Sequence, residues 1–91
     1  MSEGLPKIDM STFLLSISSA AMMSLGVVPP GSGLEPEIDL NMARQNIDLL
    51  ELMHEKTKGN LTSEEVQLMD SLLFQTRMHY VEVEKKMSQK G

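Results

Sequence analysis

Glu51 and His54 are the residues of this chain whose types and spacing come nearest to a chemical site. In Glu51-Leu52-Met53-His54 a carboxylate and an imidazole stand three residues apart, which on a helix puts both on one face. Helical di-iron bundles hold metal with that spacing, supplemented by further carboxylates and a second pair of the same kind. Here the other histidine, His79, would lie roughly 20 Å along a helical hairpin from His54 at the usual rise per residue. A symmetric oligomer could bring two copies of Glu51 and His54 together, but the supporting glutamates are not evident. Glu51 and His54 are thus candidate metal ligands, set against the favoured expectation of a surface or seam placement.

Other chemistry finds less support. The serines of the N-terminal third sit in no G-x-S-x-G elbow, and no Ser-His-Asp set is readable. Gly31-Ser32-Gly33 lacks the Lys-Ser/Thr that a phosphate loop requires and follows no strand. Glu64 and Glu65 read as residues of a helix start rather than as an acid–base pair. Lys56, Lys58 and the late lysines read as solvated helix ends. No catalytic residue and no cofactor are expected, and an enzyme is not the expected class.

The composition narrows the field further. A chain of 91 residues holds one domain at most, and a monomer this small is stable only marginally without a staple or a partner. The absence of cysteine excludes disulfides and thiolate sites and fits a reducing compartment, so a cytoplasmic location is expected. A net charge of −5 argues against binding to a phosphate backbone, and Phe13, Phe74 and Tyr80 are too scattered to stack bases. No nucleic-acid partner is expected. Nine methionines suit an adaptable core or binding surface, with the core as the favoured reading.

Three helices must position whatever these residues do. No charged residue occurs from Met10 to Leu34. Within that stretch Phe13, Leu14, Ile17, Ala21 and Leu25 fall at helical spacing, with Asp9 as N-cap and Gly26 as stop, predicting a helix over about 10–25. Leu15, Met22 and Met23 widen its apolar face. Ser16, Ala20 and Ser24 form a row of small residues that allows close backbone approach. A long turn-rich loop follows through Pro29-Pro30-Gly31-Ser32-Gly33 and Pro36. Asp39 caps a second helix, about 40–58, on which Leu40, Ala43, Ile47, Leu50, His54 and Thr57 keep a seam, flanked by Leu49 and Met53. Gly59 ends it.

Thr62 and Glu65 then make a capping box, with Leu61 placed to staple onto Val66, and a third helix is predicted over about 63–87. Its seam is Val66, Met69, Leu73, Thr76, Tyr80, Val83 and Met87. The short link from Lys58 to Thr62 makes the second and third helices antiparallel neighbours. Leu50 then faces Met69 or Asp70. Arg44 comes level with Arg77, and Asp48 is the expected acid between them. Residues 1–8 are expected to form a flexible arm and 88–91 to fray, leaving 9–87 as a single helical domain.

The run from Ala43 to Leu50 (Ala-Arg-Gln-Asn-Ile-Asp-Leu-Leu), followed by Glu55-Lys56-Thr57-Lys58-Gly59-Asn60-Leu61-Thr62-Ser63-Glu64-Glu65, resembles a small bacterial family known as domain of unknown function 1844. Asp9-Met10-Ser11-Thr12-Phe13 and Arg77-Met78-His79-Tyr80-Val81 resemble the ends of the same family, so the likeness covers about residues 8–83. It implies a bacterial source and an all-helical protein, and it carries no catalytic residues across.

The expectation is therefore an all-α chain in which an apolar helix covers part of a long antiparallel hairpin. The surplus apolar surface calls for a partner, most simply a second copy, since two-fold dimers are the commonest closed assembly. The expected interface lies on the first helix, at Phe13, Leu14, Leu15, Ile17, Ala20, Ala21, Met22 and Ser24. The helix seam is expected at Ile47, Leu50, Met69, Leu73, Tyr80 and Val83. Two alternatives stand beside this scaffold-like homo-oligomer: a membrane-peripheral protein using the uncharged helix, and a metal-binding oligomer using Glu51 and His54.

Overall fold

Capping chemistry sets where each helix begins. The computed structural model describes residues 7–90, and within them the chain forms α1 (Met10–Ser24), α2 (Leu40–Lys56) and α3 (Ser63–Lys90). Asp9 accepts the Thr12 backbone N–H at 2.8 Å, and Asp39 accepts that of Met42 at 3.0 Å. At α3 the Thr62 hydroxyl accepts from the Glu65 N–H at 3.1 Å, while the Glu65 carboxylate accepts from the Thr62 N–H at 2.9 Å. Each bond satisfies a backbone donor that a helix start leaves open.

The first helix ends in a Schellman turn. Gly26 takes φ +89°, its N–H donates to the Met23 carbonyl, and the Val27 N–H donates to that of Met22. The loop that follows returns to its starting point. Leu25 and Ile38 form an antiparallel bridge, and the Asp39 N–H donates to the Ser24 carbonyl at 2.8 Å. A twelve-residue excursion is thereby pinned at its base, and α2 leaves from beside the end of α1.

Two boundaries differ from the sequence reading. The second helix stops at Lys56 rather than Lys58, because the Thr57 hydroxyl donates back to the Met53 carbonyl and Gly59, at φ +83°, turns the chain immediately after. The third runs to Lys90 rather than 87, since the Glu-, Lys- and Gln-rich tail has good helix formers and no breaker. Residues 88–90, expected to fray, are thus helical. Of the arm expected over 1–8 only Lys7 and Ile8 are described, both exposed and non-helical, and the remainder lies outside the described residues, as does Gly91.

The first helix packs across the hairpin, against both α2 and α3. The core between the two layers joins Leu14 and Ile17 of α1 to Leu50 of α2 and to Met69, Leu72 and Leu73 of α3, with Met10, Met53, Leu61 and Leu68 packed around it. Ala21, Ala43 and Ile47 are also buried. Thr76 sits in this core without cost, because its hydroxyl donates to the Leu72 carbonyl at 2.8 Å. Leu61 turns inward, whereas Val66 stays exposed, as does Met87 at the other end of the predicted seam.

The assembly is flat, with principal extents of 48 × 33 × 18 Å. Its radius of gyration is 14.9 Å, against about 12 Å for a compact chain of this length. Fifteen large apolar side chains stay exposed among the described residues, and ten apolar residues are buried. The large apolar side chains left exposed thus outnumber the apolar residues that are fully enclosed.

Candidate functional site

The third helix carries two apolar stripes. One is the core seam of Met69, Leu72, Leu73 and Thr76, continued by the half-buried Tyr80 and Val83. The other follows a 4-3 spacing on the far side: Gln67, Ser71, Phe74, Met78, Val81, Lys85 and Ser88. Its apolar centre is open, with Phe74 64%, Met78 48% and Val81 56% exposed. On α2 the exposed Leu49 and Leu52 likewise point away from Ala43, Ile47 and Leu50. A groove of about 320 Å³, comparable in size to others on the surface, lies between the two helices; Arg44, Ile47, Asp48, Glu51, Arg77, Tyr80 and Val81 line it, and no residue of α1 does. The hairpin therefore has one face covered by α1 and one face bare.

Polar side chains hold that bare face in register. Arg77 donates from Nε and Nη2 to the same Glu51 oxygen, at 3.0 and 2.8 Å. His54 Nε2 lies 3.5 Å from Asp70 Oδ1. The Arg44 guanidinium stands 5.9 Å from the centre of the Tyr80 ring, a cation–π contact. The Tyr80 side chain first, then Asp48 and Glu84, push the Arg44 guanidinium above its ordinary value. The acid expected between Arg44 and Arg77 was Asp48; the structure gives Arg77 to Glu51 instead, one turn further along α2, and leaves Asp48 to act on Arg44 from a distance.

That assignment bears on the metal candidates. Glu51 is engaged by Arg77, and His54 faces Asp70 across the hairpin with both side chains largely solvated. Among the described residues no group of three or more histidine or acidic side chains is gathered as a metal would require. Glu51 and His54 share a face of α2 as their spacing demanded, but each is turned to its own partner on α3.

The residues expected at an interface on α1 divide into two sets. Leu14, Ile17 and Ala21 lie in the chain's own core, which corrects their placement: helix pitch points this row at the hairpin. Phe13 and Leu15 are exposed, and Ala20, Met22 and Ser24 are half-buried. Ser16 and Ser24 donate their hydroxyls to carbonyls one turn back, at Thr12 and Ala20, so the small-residue row is satisfied within its own helix. The seam residues Ile47, Leu50, Met69 and Leu73 are buried, and Leu50 joins Met69 in one cluster as the hairpin register required. Phe74, Met78 and Val81 were not singled out from the sequence. Their 4-3 spacing was the available signal, hidden because Leu72-Leu73-Phe74 runs the two stripes together.

What fold and surface define is a three-helix, all-α chain whose helical hairpin presents an uncovered apolar face. No described helix is long and apolar enough to cross a membrane. The family model for the domain of unknown function 1844 matches residues 7–82, and the chain belongs to that family. No curated protein and no solved structure matches it.

Proposed function

We propose that this protein is a non-catalytic, self-associating interaction module, whose working form is a homo-oligomer and most simply a dimer. The observation that carries this reading is the bare hairpin face. Phe74, Met78 and Val81 are held outward by a helix whose opposite side is already committed to the core. Burying side chains of this size contributes about 1.5–3 kcal/mol each, a large share of the total stability of about 5–15 kcal/mol that a small domain commands. The flatness of the chain and its surplus of exposed apolar side chains support the same reading.

Absolute mass by light scattering behind a sizing column tests this directly. Across a concentration series the mass should stand at twice 10.1 kDa or higher. A folded species that stays at the monomer mass throughout would sink the proposal and turn attention to a lipid surface or a foreign protein as the cover for the exposed residues.

A further inference from the structure

Resting on that reading, we infer that the contact between copies is the outer stripe of α3, paired antiparallel with the same stripe of a second copy about a two-fold axis near Arg77 and Met78. Three features of this helix select that occupant and that direction.

The stripe is straight, central and uninterrupted. Gln67, Ser71, Phe74, Met78, Val81, Lys85 and Ser88 repeat at 4-3 spacing over three heptads, the pattern that two helices share when their side chains interlock. Its apolar members are the middle three, so the best-buried part of a paired contact falls at the centre, with polar residues at both rims. An axis at the midpoint of Phe74 and Val81 sets each phenylalanine against the partner's valine and stacks Met78 beside its own copy.

Charge decides the direction. From Ser63 to Thr76 the helix carries Glu64, Glu65 and Asp70 and no basic residue; beyond it Arg77, Lys85, Lys86 and Lys90 outnumber Glu82 and Glu84. Antiparallel pairing in the same register brings Asp70 level with Lys85 of the second copy, twice by symmetry, and opposes the helix dipoles. Parallel pairing would put Lys85 against Lys85 within the stripe itself. The two Arg77 side chains meet near the axis, each already neutralised by Glu51 of its own chain, so the antiparallel orientation is the one in which the surface complements itself, as an isologous contact needs.

The available area agrees. The accessible surface of 6855 Å² exceeds the roughly 5300 Å² of a typical compact monomer of this mass. The excess, about 1550 Å², is more than the roughly 800 Å² that one partner gives to a standard interface. A helix of 28 residues is about 42 Å long, enough to supply it. The rim of α1 at Leu15 offers no such stripe: Thr12, Ser16 and Ser19 interrupt it, and Phe13 lies on another side of the helix.

The absence of cysteine makes the test clean. Single cysteines are placed at Met78 and at Gln67, and the protein is oxidised. Met78→Cys should give a covalent dimer in high yield. Gln67→Cys should not, because its two copies would stand about 30 Å apart while a disulfide needs Cα atoms within about 7 Å. In parallel, the mass of Phe74→Glu should fall to that of a helical monomer, whereas Leu15→Asp keeps the wild-type mass. Efficient bonding at both cysteine positions would mean a parallel contact. A Phe74→Glu variant that keeps the oligomeric mass, or a Leu15→Asp variant that loses it while still helical, would move the contact elsewhere. Any of these three results overturns the inference while self-association stands. A monomeric wild type overturns both. Should Phe74→Glu fail to fold, the cysteine pair still decides.

Discussion

At the scale of single residues, Gly26 is where sequence and geometry are most tightly bound. Its φ of +89° belongs to a region where an L side chain crowds its own carbonyl, at a cost of about 1–2 kcal/mol. A Cβ there would also stand 3.2 Å from Ile38 Cγ1, the residue that closes the loop back onto Leu25. Gly31 has a similar φ of +76° with nothing near the added atom. Gly26→Ala is therefore expected to lower the urea midpoint by the equivalent of about 1–2 kcal/mol or more, and by more than Gly31→Ala. Equal losses would mean that the Ile38 contact gives way freely and that only the backbone matters. The stop at Gly26 was legible from the sequence, because few residues besides glycine end a helix in this way. The bridge to Ile38 was not: it depends on the loop returning, and no local pattern of Val27 to Glu37 encodes that.

At the scale of elements, each helix start was legible because Asp9, Asp39 and Thr62 with Glu65 advertise their caps. The orientation of α1 was not. Phe13, Leu14, Leu15, Ile17, Met22 and Met23 surround it with apolar residues, so periodicity alone could not say which row meets the hairpin. The outcome, Leu14, Ile17 and Ala21 inward, follows from packing on α2 and α3 together. The same helix has no acidic residue in its first turn and no basic one in its last, so Asp9 alone answers its dipole. The backbone hydrogen bond from Thr12 holds the Asp9 carboxyl below its ordinary value of 3.8. A depressed carboxyl stabilises the native state fully above that ordinary value, and the contribution is lost as pH falls through the lower, native one. Circular dichroism melts from about pH 5 to pH 2 should show wild type losing more stability on acidification than Asp9→Asn, which keeps an acceptor at the cap but cannot titrate. Parallel curves would remove the carboxylate from any part in holding α1 to the hairpin.

At the scale of the whole molecule, the balance between inside and outside sets the expectation. The core is built from one row on each helix, and α3 commits one of its two apolar stripes to it while Phe74, Met78 and Val81 stay outside. A chain so arranged gains stability from whatever covers the second stripe. If that cover is a second copy, folding and association are one equilibrium, and the melting temperature depends on concentration. Each tenfold rise in protein concentration adds about 1.4 kcal/mol to a dimer that unfolds to separate chains. Spread over the unfolding entropy of two chains of this length, that is a rise of about 3–4 °C per tenfold step. Calorimetry at several concentrations reads it without any substitution. A melting temperature that does not move, in a protein that still unfolds cooperatively, would show that the hairpin and α1 hold together unaided and that the open face is kept for something other than its own copy. The sequence made a partner expected through its charge-free first third. The structure moves the strongest exposed surface to the opposite side of the hairpin, because α1 spends its best row on the core and leaves Phe74, Met78 and Val81 uncovered.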